Sequence, residues 1–82
     1  MDKREQAMRL GCYAGLAAVK LGDNSYARRF VERNLSEVTA EEYFLVANEI
    51  QQRLIEGGHI QPDEDPYDEV RKAFEKAPRI GW

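Results

Sequence analysis

Cysteine and histidine are the side chains best suited to nucleophilic and proton-transfer chemistry near neutral pH, and this chain of 82 residues has one of each, Cys12 and His59. A covalent mechanism needs nucleophile and base within hydrogen-bond reach. Cys12 sits inside the most apolar stretch of the chain, residues 10–19 (LGCYAGLAAV), where a thiol is ordinarily an inert core group with a raised pKa. His59 follows two glycines in a loop-like segment, the setting of an exposed or capping imidazole. A Cys12–His59 dyad therefore depends wholly on an accident of folding, and no catalytic residue is assigned.

Metal chemistry has no better footing. Structural zinc takes four Cys or His ligands at paired spacings, which two such residues do not supply. The acidic run from Asp63 to Glu69 (DEDPYDE) invites a calcium reading, but it lacks the turn glycine that a calcium loop requires and Pro66 interrupts it. It reads instead as a solvated loop leading into the negatively charged start of a helix. Gly11 and Gly15 lie in a helical pattern and follow no strand, so there is no phosphate-cradling loop. Neither a cofactor nor a metal is expected.

Charge carries more information. Twelve Lys and Arg against fifteen Asp and Glu give a net charge of −3, far from the balance of a dedicated nucleic-acid binder. The total conceals opposite halves. Residues 1–35 hold seven basic and four acidic side chains, net +3, while residues 36–82 hold five basic and eleven acidic, net −6. Arg28, Arg29 and Arg33 crowd one short predicted helix, with Arg29 and Arg33 one turn apart, and arginines so placed grip phosphates or carboxylates. The ordinary alternative is a solvated face that pairs with Glu32 or with the chain's own acidic half. The polarity also predicts contacts in which one subunit's basic face meets another's acidic face.

Two further features point to contact surfaces. Glycine within a helix costs about 1 kcal/mol relative to alanine, and Gly11 and Gly15, four residues apart, clear side chains from one helical face. Such a cleared face admits a neighbouring helix of the same core or forms the seam of a homodimer, the spacing being better known from membrane helices. Arg79 and Trp82, in the tail Arg79-Ile80-Gly81-Trp82, are residue types that dominate binding energy at interfaces, although a tryptophan is equally a lid for a small core.

The elements that must position these residues are helical. Asp2 with Glu5 three residues later resembles a capping box, and Gly22 after Leu21 is a C-terminal stop, framing a first helix at about residues 3–21. Ala7, Leu10, Ala14, Ala17 and Leu21 form one apolar stripe and Met8, Cys12, Gly15 and Val19 an adjacent one, so this helix is expected to be enclosed on several sides. Asp23, Asn24 and Ser25 offer capping oxygens to a second helix at about 25–35, with Tyr26, Ala27, Phe30, Val31 and Leu35 inward and a basic outward face. Thr39 and Glu42 form a capping box stapled by Val38 and Tyr43, opening a third helix at about 40–56. Its inward positions are Tyr43, Val46, Ala47, Ile50 and Leu54, widened by Phe44, Leu45 and Ile55, and Gly57-Gly58 ends it. Asp65 as N-cap, Pro66 and early acids announce a fourth at about 66–76, stopped by Pro78. A helix-turn-helix built from the second and third helices is disfavoured, because the recognition helix would carry Glu41, Glu42 and Glu49 against phosphates.

Four helices with short loops predict a compact all-α bundle, and 82 residues allow one small helical domain, 1–82. A single cysteine excludes an intrachain disulfide. The ten-residue apolar run is about half of what spans a bilayer, and removing it as a secretory signal would strip the core, so no membrane is expected and the cytoplasm is the expected compartment. The function these features imply is that of a small non-enzymatic protein–protein interaction module, an adaptor, assembly factor or inhibitor acting by occupancy, with a homo-oligomer expected. A nucleic-acid or phosphate-binding regulator using Arg28, Arg29 and Arg33 is the competing reading.

Overall fold

The computed structural model describes residues 2–76. It is all-α. In chain order the elements are α1 (Lys3–Lys20), α2 (Ser25–Val31), a single 3-10 turn (Leu35–Glu37), α3 (Ala40–Glu56) and α4 (Pro66–Lys76).

Helix α1 starts where Asp2 accepts a hydrogen bond from the Arg4 N–H at 3.0 Å. The capping box is only half formed, because Glu5 turns toward Arg71, 3.5 Å away, rather than back to the cap. Beyond Leu21, Gly22 adopts φ +65°, a left-handed conformation that suits glycine, and the chain reverses into Asp23. There the Asp23 carboxylate accepts from both the N–H and the hydroxyl of Ser25, at 2.9 and 2.6 Å, and opens α2.

Helix α2 ends at Val31, four residues short of the expected boundary. Asn34 competes for the chain: its side-chain oxygen accepts from the Ser36 N–H at 3.1 Å and from the Ser36 hydroxyl at 2.7 Å, nucleating the separate 3-10 turn. The consequence is a correction to the expected inward set. Tyr26 and Phe30 are buried, but Ala27 is exposed, as are Val31 (82%) and Leu35 (54%).

Helix α3 begins as expected, with Thr39 Oγ1 accepting from the Glu42 N–H at 3.1 Å and with Val38 and Tyr43 both buried. Glu42 does not reach back to Thr39; it pairs with Arg33. Gly58, at φ +75°, turns the chain after Glu56. Asp65 then caps α4 by accepting from the Tyr67 N–H at 3.1 Å.

The core lies chiefly between α1 and α3, where Tyr13, Ala17, Ala47, Ile50 and Leu54 are inaccessible to solvent. Ile60, from the loop after α3, and Tyr67, from α4, close its edge. Burying one aliphatic side chain of this kind stabilises by about 1.5–3 kcal/mol, so this seam dominates the fold. The second α1 stripe is not enclosed as expected: Met8, Gly15 and Val19 are exposed and Cys12 is half-buried. Leu45 is likewise outward, at 58% exposure. No helix among the described residues is long and apolar enough to cross a membrane.

Candidate interaction groove

The residues that one face of α1 leaves bare form the floor of an open groove of about 360 Å³. Ala7, Leu10, Gly11, Ala14 and Gly15 supply that floor. Ala27 and Phe30 of α2 form one wall, and Leu35 and Tyr43 close an end. A Cβ built on Gly11 or Gly15 would meet nothing within 4 Å. The glycines therefore do not admit a neighbouring helix of the same core, and that expectation is corrected. Their missing side chains keep a surface open.

Helix α2 packs chiefly on α1, and side-chain contacts also tie it toward α3. Tyr26 and Phe30 turn toward α3, and each ring is covered by a guanidinium: Arg53 lies 5.6 Å from the Tyr26 centroid and Arg33 lies 5.8 Å from that of Phe30. Arg53 donates to the Tyr26 hydroxyl at 3.0 Å and to the Asp23 carboxylate at 2.6 Å. Hydrogen bonds from Arg53 and from Ser25 hold Asp23 well below the ordinary carboxylate range, at about 2. Phe30 also meets Tyr43 with centroids 5.6 Å apart. Tyr26, Ala27 and Phe30 all line the groove, and Ala27 is the exposed one of the three.

The three arginines singled out in the sequence do not act together. Arg33 lies beyond the end of α2 and is engaged by Glu42. Arg28 and Arg29 are exposed on α2 without an ion-pair partner among the described residues. They lie between Ala27 and Phe30 in sequence, but at 100° per residue both point away from the face of α2 that lines the groove, and the lining itself carries no charged side chain. Arg4, also exposed, belongs to a separate depression that it lines with Glu5, Met8, Tyr67 and Arg71. Arg79 and Trp82 lie outside the described residues.

The other chemistry-bearing groups are placed elsewhere. Burial and the nearby Asp65 carboxylate push the Cys12 thiol up, the opposite of what activates a nucleophile. Cys12 shares no hydrogen bond with His59, which is exposed with its ring beside Gly57. Among the described residues, no three His, Cys, Asp or Glu side chains are grouped so as to hold a metal ion. The acidic loop instead makes a structural link: Asp65 accepts from the Tyr13 hydroxyl at 3.1 Å, and burial together with that carboxylate pushes the Tyr13 phenol up to about 12. Arg9 is sandwiched between the rings of Tyr13 and Phe44, at 5.2 and 5.5 Å, and donates to Asn48 Oδ1 at 2.7 Å.

Sequence reasoning found the two glycines but neither wall of the groove. The available signal was Asn34-Leu35-Ser36, an Asx turn that stops α2 early and leaves Leu35 at the mouth of the groove. No protein-family model matches the chain, and no match is found among curated proteins or solved structures.

Proposed function

We propose that the chain is a small protein–protein interaction module that works by occupancy, as an adaptor, assembly factor or inhibitor, and that it carries out no catalysis. The observation that supports this most is the α1–α2 groove: an apolar trough, floored by glycine and alanine and walled by Tyr26, Ala27, Phe30, Leu35 and Tyr43. An apolar trough of this kind suits a helix or loop of a protein partner, whose side chains fill it. Leu35, exposed at the end of the groove, adds apolar area to the same surface.

A photo-crosslinking residue in place of Ala27, which is exposed and lines the groove, tests this in the native cell. Specific protein adducts are expected from that position and not from the same residue at Asp63, in the loop before α4. Equal adducts from both positions would remove the groove as the binding surface.

A second reading draws on the unpartnered Arg28 and Arg29, which present two guanidinium groups to a phosphate backbone. Under that reading, binding to duplex nucleic acid falls steeply with salt and is lost when both arginines become alanine. The pair is small for such a role, and Arg33, already bound to Glu42, adds little to it.

A further inference from the structure

We infer that the groove is occupied by the chain's own residues 77–82 (APRIGW), with Trp82 seated over Gly11 and Gly15. Those six residues lie outside the described structure, but α4 fixes the point at which the chain leaves it. Helix α4 runs antiparallel to α1: Asp65 accepts from the Tyr13 hydroxyl, Arg71 meets Glu5, and Glu75 shares a depression with Asp2, Arg4, Glu5 and Met8. The chain therefore leaves Lys76 beside the first turn of α1. Arg4, Met8, Gly11 and Gly15 are spaced so as to follow one another along a single face of α1, and all four are exposed. That face is a bare track from the end of α4 to the floor of the groove.

Reach and chemistry both fit. Gly11 lies about 10 Å along the helix axis from Arg4, and six extended residues reach about 20 Å, which leaves slack for the chain to reverse at Pro78. Alternate side chains of an extended segment share one side, so Ile80 and Trp82 turn together to α1 while Arg79 turns to solvent. Ile80 then covers Met8, which is 42% exposed, and Trp82 enters a trough of about 360 Å³ whose lining carries no charged side chain. The absent side chains of Gly11 and Gly15 leave room there for an indole ring. A short tether holds the segment near the groove at an effective concentration in the millimolar range, so a contact too weak to join separate molecules is filled within one. Where the groove is also the surface that binds a partner protein, the reading proposed above, this segment is an autoinhibitory plug that the partner displaces.

Trp82 is the single tryptophan of the chain, so its fluorescence reports on this segment alone. In the dilute 82-residue chain its emission is expected to lie to the blue of free N-acetyltryptophanamide and to be quenched by acrylamide several-fold more weakly. Gly11→Gln fills the groove without meeting any neighbour, so it is expected to stay folded by circular dichroism and to return both signals to those of the free amide. Gly15→Gln gives the same test at the next turn, and Leu45→Gln, on the outward side of α3, is expected to leave both signals unchanged. A wild type that emits like the free amide overturns the inference. So does a blue shift that survives in the folded groove variants, or one that grows with protein concentration and so places the segment on another copy. The crosslinking residue at Ala27, carried on a Trp82→Ser chain, is expected to give several-fold more protein adducts than on the wild type. If Trp82 is exposed while Ala27 still crosslinks, the plug falls and the interaction module stands; if Trp82 is protected while Ala27 yields no adducts in either chain, the plug stands and the module falls.

Discussion

Helix α1 makes two contacts of opposite character. Toward α3 it presents Tyr13 and Ala17 to Ile50 and Leu54, all with essentially no solvent exposure, and the seam is closed by matched side chains. Toward α2 it presents Gly11 and Gly15, and nothing fills the space above them. The first contact makes the fold and the second leaves a surface. Helix α2 borders that surface: Tyr26 and Phe30 line the groove while Arg53 donates to the Tyr26 hydroxyl and to Asp23, and the Arg33 guanidinium lies over Phe30.

The largest expected effect lies in the closed seam. Ile50→Ala removes a fully buried side chain and is expected to cost about 2–5 kcal/mol in chemical denaturation. Leu35→Ala at the groove mouth is expected to change stability by no more than about 0.5 kcal/mol. Similar costs at the two positions would erase the distinction between seam and groove.

A smaller effect of opposite sign is expected at the groove floor. Gly15→Ala places a methyl group in empty space and restores helix propensity, so the melting temperature is expected to rise by the equivalent of about 1 kcal/mol. A loss of stability would mean that the space above Gly15 is needed by the fold itself.

The smallest effect concerns the latch on α2. Because Asp23 titrates at about 2 in the folded chain, below the ordinary carboxylate value of 3.8, its contribution is complete above that value and fades as pH falls toward 2. Acid titration of the wild type is expected to show this loss, seen as weakened amide protection in α2, and Arg53→Met is expected to shrink the pH dependence, leaving only the part due to the Ser25 hydrogen bonds. An unchanged acid profile in that variant would show that α2 is held by packing alone.

Local rules made α3 and α4 legible. The Thr39 cap, the Val38–Tyr43 staple and the Asp65-Pro66 start each depend on residues within one turn, and both helices keep their expected bounds. Tyr13 was not legible as core, because the Asp65 carboxylate that satisfies its hydroxyl lies 52 residues away. Leu45 and Val31 read as inward on apolarity alone, yet at 100° per residue Leu45 falls on the side of α3 opposite Tyr43, Ile50 and Leu54, and Val31 is turned well away from Tyr26 and Phe30. The groove was half legible. Two glycines four residues apart announced a bare face, but what approached it depended on where α2 stopped, and Asn34 decided that.

The measurement that bears most directly on the groove as a binding surface is one variant read in two ways. Gly15→Gln, used as bait in a native cell extract beside the wild type, is expected to melt no lower than the wild type and yet lose the proteins that the wild type retains. Retention of the same proteins by a folded Gly15→Gln chain would contradict the account.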